Sequence, residues 1–184
     1  MVFLGILIGI SGCSASGKST FAKVLAERLT DKKVMVINSD AFFRNPLPRM
    51  ISPANGNCYD DFNSPETLDI YKMMTEVGAN LAENDIIIVE GVLILCFEEF
   101  RQRAALTVFV DANIETRLSR RLVRNTRVYG MNFDDVLEYY LNAARFSEQK
   151  HTGPSKMYAD IVINGERDFI KPIEVLLAYI SLSM

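Results

Sequence analysis

The chain is poor in the residue types that build metal and redox centres. It has one histidine, His151, and no tryptophan in 184 residues. A histidine-based metal site is thereby excluded, and His151, close to the Gly153-Pro154 pair, reads as a solvated surface group. The three cysteines, Cys13, Cys58 and Cys96, lie far apart and form no C-x-x-C pair. That spacing excludes a disulfide framework or a zinc site and suits reduced thiols in a cytoplasm. Positive charge is not in excess: Lys and Arg total 20 against 23 Asp and Glu, for a net charge of −3. The strong basic field that nucleic acid or a membrane surface would require is missing. No apolar run reaches the roughly 20 residues of a membrane-spanning helix. The apolar segment Met1 to Ile10 lacks the basic flank of a signal sequence. Cleavage before Cys13, at the lipoprotein-like Ile10-Ser11-Gly12-Cys13, would destroy the motif that follows, so a buried first strand is expected.

What is present is an ordinary globular composition, 49% hydrophobic and 23% charged, enough for one α/β domain with a sizeable core. Its organising stretch is Gly12-Cys13-Ser14-Ala15-Ser16-Gly17-Lys18-Ser19-Thr20, which fits G-x-x-x-x-G-K-[ST] between an apolar, β-rich run and a helical one. Gly12 and Gly17 let the backbone curl, so that its N–H groups form an anion nest at a helix N-terminus. Lys18 would reach the β- and γ-phosphates, and the Ser19 hydroxyl would take one Mg²⁺ position. The absence of an N-K-x-D guanine-reading motif and of a D-x-x-G switch favours ATP over GTP.

Periodicity predicts strands at Phe3 to Ile10, Val34 to Ile37, Ile86 to Val89, Leu106 to Val110 and Ala159 to Ile163. Helices are predicted over about 18–29, from Ser64-Pro65-Glu66 onward, 97–103, 113–127, 133–150 and 172–181. The second helix should bury Leu68, Tyr71, Met74, Val77 and Leu81. The fourth should place Ile114, Leu118 and Leu122 on one face, and His151 to Lys156 should break the fifth. Strands alternate with helices, which implies a three-layer sandwich on a five-stranded parallel sheet with right-handed crossovers. The expected organisation is one domain over 1–184, with a small helical lid near 120–133 and a substrate loop at about 40–64.

Ligands of such sheets bind beyond the carboxyl ends of the strands. Asp40 and Glu90 lie there. Asp40 is placed to take the proton of an acceptor hydroxyl attacking the γ-phosphate, and Glu90 to serve on the magnesium side. Asp111 reads as a cap or turn residue. Five arginines and no lysine within Arg117 to Arg127 suggest bidentate phosphate binding by a closing lid, with Arg121, Arg124 and Arg127 as its candidates. The loop residues Phe43, Tyr59, Asp61 and Phe62 suggest a substrate wall, since a solvated connector has little use for aromatics.

The matching residues run from Gly9 through Thr20, then Ser39-Asp40-Ala41-Phe42-Phe43, Val89-Glu90-Gly91-Val92-Leu93, Phe109-Val110-Asp111, Arg117-Leu118-Ser119-Arg120-Arg121 and Pro154-Ser155-Lys156-Met157-Tyr158-Ala159-Asp160. On these the chain resembles the uridine kinase and nicotinamide riboside kinase group of the phosphoribulokinase/uridine kinase family. Thr126-Arg127-Val128-Tyr129 is closer to the nicotinamide riboside kinases. The resemblance implies 5′-phosphorylation of a ribonucleoside by ATP with Mg²⁺. It gives Asp40 the general-base role, Glu90 the magnesium-side role, and Arg121 and Arg124 the lid positions. Two departures stand out. The substrate hairpin that uridine kinases carry before the third strand is missing, because Asn84-Asp85 runs straight into that strand. The family's ribose-binding aspartate falls on Asn63, with Asp60 and Asp61 close by. Nicotinamide riboside, pantothenate-like and sugar-type acceptors are the enzymatic alternatives, and a nucleotide-binding regulatory module is the non-enzymatic one. Homo-oligomerisation is compatible with the sequence.

Overall fold

The structure, a computed structural model, describes residues 5–183. Phe3 and Leu4 of the expected first strand lie outside the described residues. The parallel sheet has five strands: β1 (Ile6–Ser11), β2 (Val34–Asn38), β5 (Ile86–Gly91), β6 (Leu106–Asp111) and β7 (Ile161–Asn164), in the order β2-β5-β1-β6-β7. All four pairings are parallel. The helices are α1 (Lys18–Arg28), α2 (Ile70–Asn80), α3 (Glu98–Arg103), α4 (Ile114–Arg127), α5 (Phe133–Tyr139), α6 (Arg145–Ser147), α7 (Gly153–Ser155) and α8 (Ile170–Ser183). Among the described residues no helix is long and apolar enough to cross a membrane.

The three layers follow from the period-2 alternation of the central strands. Ile87 and Val89 of β5 pack with Met73, Val77 and Phe100 from α2 and α3. Ile86 and Ile88 pack on the opposite face with Phe21, Leu25, Ile173 and Leu176 from α1 and α8. Each such fully buried side chain contributes about 1.5–3 kcal/mol relative to exposure. The register aligns Ile10 with Glu90 and Asn38 with Glu90. The ends of β1, β2 and β5 therefore meet at one edge, and each strand delivers its following loop to the same place.

Several expected elements are corrected. The loop over 40–64 holds an antiparallel hairpin, β3 (Arg49–Ile51) with β4 (Cys58–Asp60), closed by an Arg49–Asp60 ion pair at 2.5 Å. Ser64-Pro65 starts only a single 3₁₀ turn. The true cap of α2 is Asp69, whose side chain accepts the Lys72 N–H at 3.1 Å. Leu68, Met74 and Val77 are buried as expected, Ile70 and Met73 join them, and Tyr71 is 72% exposed. On α4, Ile114 is half exposed and Arg117 is buried, because this helix packs on the α5–α7 stretch through a salt bridge (below). The break expected at His151 to Lys156 is absent. The chain stays helical from α5 to α7 through two π turns, Tyr140–Ala144 and Glu148–Thr152. The second π turn widens the helix just before Pro154, and so removes the i→i−4 bond that a proline would break.

Candidate active site

The glycine-rich segment from Gly12 to Gly17, the expected phosphate loop, joins the end of β1 to the start of α1. Its curl uses positive φ at Gly12 (152°), Ala15 (63°) and Gly17 (108°). A Cβ at Gly12 would stand 2.4 Å from the Val110 carbonyl oxygen, so only glycine fits there. Gly17 caps α1 without a side chain, which leaves the first-turn N–H groups free to face an anion. Ser16 is buried, and its Oγ has no hydrogen-bond partner.

Two cavities meet at Lys18 and Ser19. One, of about 530 Å³, is lined by Ser14, Lys18, Ser19, Asp40, Glu90, Arg121 and Arg124, and closed by Phe43, Phe62, Asn63, Met131 and Tyr139. The other, of about 430 Å³, lies across the phosphate loop. It is lined by Ala15, Gly17, Lys18, Ser19, Thr20, Arg120, Arg124, Arg167 and Phe169. Lys18 faces both cavities, as a cation shared by a donor and an acceptor site would.

Asp40 follows β2, where Asn38 accepts its N–H at 2.8 Å. Its carboxylate is open to the cavity, yet walls surround it. That partial burial raises its pKa, while Lys18 and Arg124 pull it down. Glu90, at the end of β5, is only 4% exposed. Burial raises its pKa too, against Lys18 and the Ser19 hydrogen bond. Its Oε1 accepts from the Ser19 hydroxyl at 3.0 Å, and its Oε2 is buried without a partner. A hydroxyl and a carboxylate with an unused oxygen fit Mg²⁺, which takes few protein ligands and completes its shell with water and phosphate.

The arginines of α4 divide by role. Arg117 is turned inward, donating to Glu148 at 2.7 Å and to the Ala112 carbonyl at 3.2 Å. Arg120 donates to the Gly165 carbonyl at 3.0 Å. Arg121 faces the cavity, its Nε and Nη1 buried without hydrogen-bond partners. Arg124 donates to the Ser14 hydroxyl at 3.4 Å. Arg127 is exposed and lines neither cavity.

The expected acceptor wall is assembled in part. Phe43, Phe62 and Asn63 line it, with Phe43 and Phe62 rings 6.4 Å apart. Tyr59 stands behind it, bonded to Glu138 at 3.0 Å with its ring edge-on to Tyr139. Asp61 is buried and accepts the Asn63 and Ser64 N–H groups at 2.9 and 3.1 Å. It shapes the turn that presents Asn63, and lines a separate cavity behind the hairpin. Sequence reasoning missed Tyr139, Met131 and Glu148. Tyr139 accepts from the Asn63 side chain at 3.3 Å and donates to the Asp60 carbonyl at 3.0 Å; burial pushes its hydroxyl up to about 12. The adjacent Tyr140 carried the core signal, and nothing in the local pattern marks Tyr139. Cys13 is not a nucleophile here, since burial pushes its thiol up to about 12.

A family model described as the phosphoribulokinase/uridine kinase family matches residues 69–169. Among curated proteins, the uridine kinase of Clostridium tetani is 31% identical over 179 residues, covering 86% of each chain. The uridine kinase of Geobacillus kaustophilus is 26% identical over 199 residues, covering 95% of this chain and 93% of its own. Among solved structures, a protein from Silicibacter sp. TM1040 superposes with a TM-score of 0.60 at 18% identity, over 86% of this chain and 89% of its own. That likeness shows the same fold.

Proposed function

Because this chain belongs to the phosphoribulokinase/uridine kinase family, we propose that it transfers the γ-phosphate of ATP to the 5′-hydroxyl of a ribonucleoside. The observation that carries this reading is the position of Asp40. It shares one cavity with Lys18, Ser19, Arg121 and Arg124, of which Arg121 keeps Nε and Nη1 without hydrogen-bond partners, opposite a wall of aromatic side chains. In the proposed step the acceptor oxygen attacks γ-phosphorus and its proton passes to Asp40. The bond to the β–γ bridging oxygen breaks, and ADP leaves. Lys18, Arg121 and Arg124 stabilise charge on the transferring group, and the loop N–H groups hold the β-phosphate. Ser19 and Glu90 would hold Mg²⁺, which neutralises phosphate charge when bound.

A second acceptor has a specific observation in its favour. The link between α2 and β5 is too short for a pyrimidine-reading hairpin, and the rings of Phe43, Phe62 and Tyr139 line the cavity as an aromatic cluster instead. Such a box suits a flat cationic ring, as in nicotinamide riboside. ADP release from ATP and Mg²⁺, measured over a panel of nucleosides and nicotinamide riboside, tests both acceptors. Turnover with none of them would remove both of these acceptors and leave a pantothenate- or sugar-type kinase or a nucleotide-binding module.

Two predictions arise here. A Cβ added at Gly91 would stand 1.8 Å from the Ser39 hydroxyl oxygen, and Ser39 is fully buried next to Asp40. Gly91→Ala should therefore displace Asp40 and lower kcat by up to about 10²-fold, the usual effect of a misplacement near 1 Å. Steady-state assay alongside a melting curve separates this from unfolding. The second concerns pH. The base must be ionised, so kcat/KM should fall as pH drops through the raised Asp40 value, above the usual aspartate value of about 3.9. Arg124 holds that value down, so Arg124→Gln should move the acid limb to higher pH. An unmoved limb would mean that the titrating group is not Asp40.

A further inference from the structure

The most heavily tied carboxylate near the cavity belongs to neither strand-end acid. Glu148, on the π turn between α6 and α7, is 3% exposed. Its Oε2 accepts from Arg117 at 2.7 Å. Its Oε1 accepts the backbone N–H of Ser14 at 3.3 Å and lies 3.8 Å from Arg121 Nη1. One buried side chain thus ties the phosphate loop to two arginines of α4. π turns cost helix hydrogen-bond geometry and concentrate at functional positions, and this one begins at Glu148.

We infer that Glu148 is a positioning residue. It sets the distance between the rim of the phosphate loop and the Arg121 guanidinium, so that the free donors of Arg121 point at the γ-phosphoryl oxygens. It acts through Ser14 and Arg121 and does not touch the substrate. Three features support this. Arg121 is half-buried, and its Nε and Nη1 atoms are buried without a hydrogen bond, so its neighbours hold it without consuming those donors. Its neighbours are Glu148 and the rings of Tyr139 and Tyr140, each 5.8 Å from the guanidinium carbon. Glu148 is the only acid in ion-pair contact with Arg121 among the described residues. The competing explanation is a buried Arg117–Glu148 pair that only holds the fold.

This inference rests on the phosphotransfer reading, and its test needs no acceptor. Affinities for Mg²⁺–ADP and for Mg²⁺–ADP with aluminium fluoride, which mimics the transferring phosphoryl group, are compared in the parent, Glu148→Gln and Arg117→Leu/Glu148→Leu. Replacing a buried ion pair by apolar side chains of similar volume is often neutral or stabilising, so the double variant guards against misfolding of the single one. The expected result is a loss of aluminium fluoride complex affinity of roughly 10-fold or more in both variants, on the scale of misplacing a charge-stabilising donor. ADP affinity should stay near the parent value, and the melting temperature of the double variant should be close to the parent's. If the double variant binds the aluminium fluoride complex as tightly as the parent, the pair is structural and the inference fails. It fails also if ADP and the mimic weaken equally. A parent that phosphorylates no acceptor would defeat the kinase reading alone and leave this comparison standing.

Discussion

Asp40→Asn is expected to lower kcat by about 10²–10⁴-fold, the range that a positioned general base contributes, while ATP affinity stays nearly unchanged. The amide keeps the shape of the carboxylate and the Asn38 contact to its backbone N–H, but it cannot take a proton. The phosphate-side groups Lys18 and Ser19 are untouched, which is why nucleotide binding should survive. The same substitution should raise the melting temperature at neutral pH. Burial lifts the folded-state pKa of Asp40, so the folded protein holds that proton more tightly than the unfolded chain does. The stabilisation linked to this proton is complete below the unfolded value and is lost as pH rises through the folded one. At neutral pH the ionised carboxylate therefore weighs against folding, and a neutral amide relieves it. Loss of turnover with gain of stability is the signature of a strained functional group. Stopped-flow or steady-state phosphotransfer, isothermal ATP titration and a melting curve measure the three effects. Near-normal transfer by the Asn variant would exclude Asp40 as the base.

Lys18→Ala should abolish measurable transfer, with a loss in kcat beyond the roughly 10²–10⁴-fold of Asp40→Asn, since losing one preorganised charge donor alone costs about 10²–10³-fold. The expected loss is larger than for Asp40→Asn because Lys18 serves two functions. It faces both cavities and so can follow phosphate charge from donor to acceptor. It also lowers the pKa values of Asp40 and Glu90. Removing it should raise both carboxyl groups and leave fewer Asp40 molecules ionised. ATP affinity should fall as well, which distinguishes this variant from Asp40→Asn. A Lys18→Ala enzyme with weakened ATP binding but normal kcat at saturation would show that the lysine binds ground state and transition state alike.

How much of this was legible in the chain itself can be judged residue by residue. The phosphate loop is local: nine consecutive residues carry their own glycines, lysine and hydroxyl, and backbone geometry follows from them. The parallel sheet was equally readable, because two-sided burial leaves near-continuous Ile and Val runs such as Ile86 to Val89. The placement of Asp40 and Glu90 follows from these, since Asp40 comes just after β2 and Glu90 is the penultimate residue of β5. The errors all arise where one segment's structure depends on another. Asp69 caps α2 in place of Ser64 because Leu68 is held extended, in the core and in an isolated bridge with Phe43. The Arg49–Ile51 and Cys58–Asp60 strands are three residues each, too short to show a period, and exist because they pair with each other.

The sequence by itself therefore determined the fold class, the glycine-rich curl after β1 and the position of the two strand-end acids, since each rests on contiguous residues and a backbone rule. Only the tertiary structure decided which arginines of α4 face the cavity, that Tyr139 closes it, and that Glu148 ties the loop to Arg117 and Arg121. Glu148 stands 134 positions from Ser14 and 31 from Arg117. A buried carboxylate is tolerated only where hydrogen bonds and opposite charge meet it. Those partners come from two other segments of the chain, so no local pattern can announce them.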